Sequence, residues 1–226
     1  NNYHQVNTVF SSIDLFDTLS FELILNQHIE LSCSNPSLAG SDNLVYKIAF
    51  HLLQTYHPTQ GVRIHLDKHI PIAAGLGGGS SNAATTLLSL NNLWKLGLSD
   101  HDLNQIAGSY GSDINFFLHG GCAIGTNRGE QISPIASIEI PNILLVNPRI
   151  PIPSSLAYQL VQIPSPEKQK RFDPYNPYDT CFNRLEPGIR QHFPKIDSLL
   201  RSISGFGAVV SMLSGSGSTC FGIFNS

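Results

Sequence analysis

The sequence carries little charge. Lysine, arginine, aspartate and glutamate make up 13% of 226 residues, and the net charge is only −3. No run of lysine and arginine is there to neutralise a phosphodiester backbone, which argues against a nucleic-acid partner. Long apolar runs are also missing. None approaches the ~20 residues that a membrane-spanning helix needs. The opening Asn1-Asn2-Tyr3-His4 lacks the basic-then-apolar pattern of a signal peptide. Cysteine is sparse, and Cys33, Cys122, Cys181 and Cys220 are scattered with no Cys-x-x-Cys pair. That is the usage of buried thiols in a reducing compartment, not of a disulfide framework or a zinc site, so the cytosol is the expectation, with a plastid left open. His65 and His69 lie four apart on a strand, too far from each other for a zinc pair.

What is present is enough apolar side chain, 41% of the residues, to bury a real core in one large domain or two small ones. Val6, Thr8 and Phe10 alternate as in a strand. Leu19, Phe21 and Leu23, then a turn at Asn26-Gln27, then Ile29, Leu31 and Cys33 predict a hairpin. Ser41 is placed to cap a helix whose Leu44, Val45, Ile48, Ala49, Leu52 and Leu53 share a face and which stops at His57-Pro58. Val62, Ile64 and Leu66 alternate again. After a glycine-rich stretch, Ala83, Ala84, Leu87, Leu88, Asn91 and Trp94 fall at helical spacing up to Gly97, and Ser99 starts another helix. Two short strands meet at Asn127-Arg128-Gly129. Further on come a short apolar strand at 143–146, a helix from Ser154, a polar, proline-rich excursion at 163–178, helices around 181–186 and after Pro194, and two last strands about 214–219. Strands outnumber βαβ alternation, so the class is α+β, with a domain boundary near Pro141.

Residues 71–84 read Pro-Ile-Ala-Ala-Gly-Leu-Gly-Gly-Gly-Ser-Ser-Asn-Ala-Ala. Gly75, Gly77, Gly78 and Gly79 let the backbone approach a ligand closely. Ser80 or Ser81 is expected to cap the helix, whose first N–H groups have no helical partner. Such a loop at a helix start favours a phosphate. No lysine completes a Walker loop, and Ser80 stands where the dinucleotide fingerprint wants its third glycine. Asp113, between Ser112 and Ile-Asn-Phe-Phe, taken alone has a plain reading as a turn or cap residue. Residues 214–219, Ser-Gly-Ser-Gly-Ser-Thr, taken alone resemble a flexible linker.

Pro71-x-x-x-Gly75-Leu76-Gly77-x-x-Ser80-Ser81-x-Ala83 resembles the phosphate-binding motif of the GHMP kinases, Gly111-Ser112-Asp113-x-x-Phe116-Phe117 resembles their aspartate segment, and residues 214–219 their third glycine-rich turn. Within the family, Tyr3-His4, Thr8-Val9-Phe10, Asp14-x-x-Asp17-Thr18-Leu19, Asp42-Asn43-Leu44, the run 77–84 and Asn183-x-Leu185-Glu186 resemble the branch acting on a cytidine-diphosphate-linked methylerythritol. The resemblance implies a two-lobed α+β fold: a ribosomal-protein-S5-like N-terminal domain over residues 1–140 and a ferredoxin-like C-terminal domain over 141–226. It implies a kinase that moves the ATP γ-phosphoryl group to the acceptor's 2-hydroxyl, with Mg²⁺ held mainly by phosphates and by Ser80 or Ser81. ATP is expected at Pro71, Ile72, Ala73, Ala74, Gly75, Leu76, Gly77, Gly78, Gly79, Ser80 and Ser81, with Asn43 near the adenine and Lys68 beside the loop, and Asp113 acting on the acceptor hydroxyl. The substrate is expected at Tyr3, His4, Tyr158, Ser214, Gly215, Ser216 and Gly217, the two tyrosines stacking on the cytosine and His4 reading its edge. Beyond the hydroxyls of Ser80 or Ser81, no protein metal ligand is expected. The family also carries an upstream Pro-x-Lys-x-Asn strand, whose lysine pairs with the aspartate, and a helix and strand beyond the position of Phe224. The resemblance therefore implies a piece of a longer protein, inactive as it stands. The alternatives are another GHMP kinase of the homoserine or mevalonate type, or a non-catalytic nucleotide-binding module.

Overall fold

The structure, a computed structural model, describes residues 7–161 and 172–225. The chain forms two compact units, one of Asn1–Ile70 with Gly77–Ser137, the other of Pro71–Leu76 with Ile138–Ser226.

In the first unit the strands are β1 (Thr8–Ser11), β2 (Thr18–Ile24), β3 (Ile29–Cys33), β4 (Gly61–Asp67), β5 (Cys122–Thr126) and β6 (Gln131–Pro134). The helices are α1 (Leu44–Tyr56), α2 (Gly78–Leu93), α3 (Asp100–Tyr110) and the single turn α4 (Ile114–Phe117). One sheet has the order β1-β5-β6 and a second the order β2-β4-β3. The expected hairpin is corrected here: β2 and β3 do not pair. β4 lies between them, antiparallel to β2 and parallel to β3. The reason lies in burial. Val62, Ile64 and Leu66 are all but fully buried, so β4 is the strand that gains most from the centre of the sheet. The short connection from β2 to β3 must then cross the end of β4, and Gly61 admits it. A Cβ on Gly61 would stand 2.2 Å from the carbonyl oxygens of Asn26 and His28.

Behind this sheet Val45, Ile48, Ala49 and Leu52 of α1 meet Ala83, Ala84, Leu87 and Leu90 of α2, together with Val62, Ile64, Leu103 and Ala107. The apolar face expected of α1 is thus its core face. Its cap is Asn43, not Ser41: the Asn43 side chain accepts from the Val45 N–H at 2.9 Å, and His57 closes the helix at φ 47°. Ser99 and Asp102 form a reciprocal capping box on α3. Phe10 of β1 stacks on Phe116 of α4, with centroids 4.9 Å apart, which joins the first sheet to the aspartate segment.

In the second unit β7 (Asn142–Val146) and β8 (Val210–Leu213) flank β9 (Cys220–Phe224), both antiparallel to it. The helices are α5 (Ser154–Gln159), α6 (Pro177–Thr180), α7 (Glu186–His192) and α8 (Pro194–Gly205). Ile196, Leu200 and Ile203 of α8 bury one face against Leu213 and Cys220, with Ile152, Ala157 and Ile189 alongside. With all three sheets mixed among helices, the α+β class holds.

Candidate active site

The glycine-rich stretch ends at Gly77, which caps α2 at φ 66°, ψ 12° with no side-chain cap bond. The expectation that Ser80 or Ser81 caps this helix is therefore corrected. A glycine in the left-handed region turns the chain into the helix by itself, and both serines fall inside the first turns. The first helical bond runs from the Ser81 N–H to the Gly77 carbonyl at 2.9 Å. The N–H groups of Gly78, Gly79 and Ser80 consequently have no partner within α2 and form an anion-seeking end. The serine hydroxyls therefore make no capping bond.

Close beneath this end lies the aspartate segment. A Cβ on Gly77 would come within 2.7 Å of the Phe117 ring, four residues beyond Asp113. Asp113 precedes α4 but makes no capping bond, and among the described residues its carboxylate has no ion-pair or hydrogen-bond partner. Of the two plain readings of Asp113, the turn holds, since the Ile114 N–H bonds the Gly111 carbonyl at 3.2 Å around it, and the cap finds no bond to support it. The residue is solvent-exposed overall, yet protein crowds its carboxyl, with Gly129 among the neighbours, and desolvation raises its pKa above the ordinary aspartate value. Surface area and desolvation are in tension here. A group reached by water from one side and walled on the others satisfies both.

Lys68 is not a free cation beside the loop. Its side chain is 8% exposed and its ammonium sits 2.8 Å from the carboxylate of Asp17, a side chain with no exposed surface. It also donates to the Ile70 carbonyl. Asn43 is likewise engaged, since beyond its capping bond Nδ2 donates to the Leu38 carbonyl at 2.7 Å. Tyr3 and His4 lie outside the described residues.

In the second unit, residues 71–76 and 214–219 lie against each other. Ser214 Oγ donates to the Gly75 carbonyl at 2.7 Å and the Thr219 N–H to the Ala74 carbonyl at 3.2 Å. Residues 214–219 are no flexible linker. Their own turn closes through Gly217 N–H to Ser214 O at 2.9 Å, and Ser218 and Thr219 are buried. Four side chains from elsewhere hold the turn. Asn183 Nδ2 donates to the carbonyls of Leu213 and Gly215 at 2.8 and 2.7 Å, and Glu186 accepts from the Leu213 N–H at 2.9 Å. Asn147 bonds Thr219 Oγ1 at 3.2 Å, and Ser154 meets Ser216, hydroxyl to hydroxyl, at 3.2 Å. Tyr158 is a half-buried residue of α5. The roles of Asn183 and Glu186 were not legible in the residues themselves, although their Asn-x-Leu-Glu spacing was; Asp17 was legible only as part of Asp14-x-x-Asp17 and Ser154 only as a helix start, and Asn147 gave no local signal.

Comparison with known proteins agrees with this geometry. Residues 43–121 match the model of the GHMP kinases N terminal domain and residues 175–226 that of the GHMP kinases C terminal. A 4-diphosphocytidyl-2-C-methyl-D-erythritol kinase of Thermodesulfovibrio yellowstonii is 38% identical, over 99% of this chain and 82% of that protein. One from Geobacillus thermodenitrificans is 36% identical, over 98% and 80%. A crystal structure of 4-(cytidine 5'-diphospho)-2C-methyl-D-erythritol kinase superposes with a TM-score of 0.84 at 31% identity, covering 99% of this chain and 82% of that one. A homoserine kinase from Cytophaga hutchinsonii shares the fold, at a TM-score of 0.70 and 17% identity, over 93% and 76%. With both family domains matched in order and relatives this similar along nearly the whole chain, the protein belongs to the GHMP kinases.

Proposed function

We propose that this protein transfers the γ-phosphoryl group of ATP to the 2-hydroxyl of 4-diphosphocytidyl-2-C-methyl-D-erythritol, the compound in its relatives' names. One observation carries the reading. The open first turn of α2 and the uncapped carboxylate of Asp113 belong to one packed assembly, with Phe117 beneath Gly77.

The amides of Gly78, Gly79 and Ser80 bind the phosphates, with residues 71–77 as the rest of the cradle. Asp113 accepts the proton of the acceptor hydroxyl as its oxygen bonds to the γ-phosphorus; the bond from that phosphorus to the bridging oxygen breaks and ADP leaves. The desolvation that raises its pKa makes Asp113 a stronger proton acceptor once ionised. Positioning supplies much of the remaining rate. When bound, Mg²⁺ neutralises charge on the β- and γ-phosphates. The hydroxyls of Ser80 and Ser81, in the first turn of α2, are the protein groups that would hold the ion beside the phosphate oxygens. Tyr3 and Tyr158 are assigned to stack on the cytosine and His4 to read its edge, and residues 214–217 are assigned to the acceptor. The acceptor is a small molecule, and the cytosol is the proposed compartment, a reading supported by four cysteines scattered without a Cys-x-x-Cys pair. No helix among the described residues is long and apolar enough to cross a membrane.

The test is ADP release by the full-length protein supplied with ATP and this acceptor. Asp113→Asn abolishes turnover and leaves ATP affinity near that of wild type, and CMP competes with the acceptor. Turnover unchanged in Asp113→Asn removes the residue from the mechanism, and a preference for homoserine or mevalonate overturns the choice of acceptor.

A further inference from the structure

The side chain of Asp17 has no exposed surface and receives four hydrogen bonds. Oδ2 takes the Lys68 ammonium at 2.8 Å and the Asn82 amide at 2.8 Å; Oδ1 takes the backbone N–H groups of His69 and Ile70, both at 2.7 Å. All the donors flank the phosphate loop. Lys68, His69 and Ile70 are the last residues before Pro71, and Asn82 lies in the second turn of α2. Two further contacts tighten the cluster. The Lys68 backbone N–H donates to Ser34 Oγ at 2.8 Å, and a Cβ on Gly78 would stand 3.3 Å from the Lys68 ammonium and 2.8 Å from Ile70. The ammonium therefore lies at the very end of α2 whose amides are proposed to take phosphate. An uncompensated cation there would oppose the positive end of the helix. The carboxylate neutralises it, and charge-assisted bonds of this length hold all four partners in one arrangement.

We propose that Asp17 is a positioning residue for nucleotide binding: it fixes the run-in to the phosphate loop and the first turns of α2 to each other, with Lys68 as its counter-charge. This rests on the reading of α2 as the phosphate site. It assigns Lys68 a different part from direct contact with ATP. Among the described residues Asp17 bonds Lys68, His69, Ile70 and Asn82 and none of Tyr158 and residues 214–217, so its loss is expected to act on the nucleotide and spare the acceptor.

The test measures ATP affinity by titration calorimetry, without acceptor, on the full-length protein, and then KM for each substrate. Asp17→Asn keeps the shape and removes the charge. It is expected to weaken ATP binding at least tenfold, to raise KM for ATP, and to leave KM for the acceptor within twofold. Lys68→Met is expected to cause a similar loss, and the double variant no more than the larger single one, because the two act as one unit. Asn82→Ala removes one arm without touching the charge pair and is expected to weaken ATP several-fold, which keeps the idea testable should Asp17→Asn fail to fold. A folded Asp17→Asn with wild-type ATP affinity, folded Lys68→Met and Asn82→Ala that bind ATP normally, or equal rises in both KM values overturn the proposal. A wild-type protein that binds no ATP overturns the kinase reading itself, and this proposal with it.

Discussion

The hydroxyl of Ser214 donates to the backbone carbonyl of Gly75 at 2.7 Å, joining two glycine-rich segments that are 139 residues apart in the chain. The contact needs the two backbones almost touching. A Cβ on Gly75 would stand 2.2 Å from the Ser214 carbonyl oxygen and 3.0 Å from the Gly217 nitrogen, and Gly75 itself sits at φ 73°. Gly75→Ala therefore meets backbone, which cannot rotate away, as well as left-handed strain. It is expected to cost about 1–3 kcal/mol of stability and to weaken ATP binding more than tenfold, read by chemical denaturation and by titration. Ser214→Ala removes only the hydroxyl bond, about 1 kcal/mol, and makes the milder comparison.

Asn183 presents its N–H₂ group to two carbonyls, those of Leu213 and Gly215, and accepts from the Leu185 N–H. Asn183→Ala leaves both carbonyls unpaired and is expected to cost about 1–3 kcal/mol. Asn183→Asp, although the same shape, is expected to be worse than alanine near neutral pH, because it points a carboxylate at two oxygens. Melting temperatures order the three proteins, and kcat/KM for the acceptor is expected to fall in the same order.

Desolvation raises the pKa of Asp113. A base must be ionised, so activity is expected to fall, as pH is lowered, at a pH above the ordinary aspartate range. Stability moves the other way. The folded protein holds this proton more tightly than the unfolded chain, so stability is lost as pH rises from the unfolded pKa through the folded one. Asp113→Asn is expected to lose activity while removing that decline, and denaturation profiles of the two proteins against pH check it.

Gly61→Ala places a methyl group 2.2 Å from two carbonyl oxygens of the connection between β2 and β3. The connection must then lift from the end of β4, breaking the 3.0 Å bond from the Val62 N–H to the His28 carbonyl. The expected loss is about 2–4 kcal/mol, because backbone here meets backbone. A protein as stable as wild type would show that the crossing is looser than described.

Much of the fold was legible because local rules govern it. The apolar stripe Val45, Ile48, Ala49 and Leu52 is the buried face of α1, and the alternation of Val62, Ile64 and Leu66 is that of β4. Alternation also placed the side chains of β2 and β3 on the right faces, but a period of two says which face a residue takes and nothing about which strand lies beside it. The predicted hairpin failed on that point. Ser80 and Ser81 were misread as caps for a related reason: capping preferences describe side chains, whereas the left-handed backbone of Gly77 did the turning.

By itself the sequence determined the glycine loop, the helix behind it, the aspartate segment and the family they resemble, since each is a run of neighbouring residues with its chemistry in its order. Only the tertiary structure decided that Lys68 is committed to Asp17, that Asn183 and Glu186 hold the turn at 214–219, and that β4 parts β2 from β3. Those pairings join residues far apart in the chain. Their strength comes from burial and from donors and acceptors brought within 3 Å by the packing of whole elements, which no local pattern encodes.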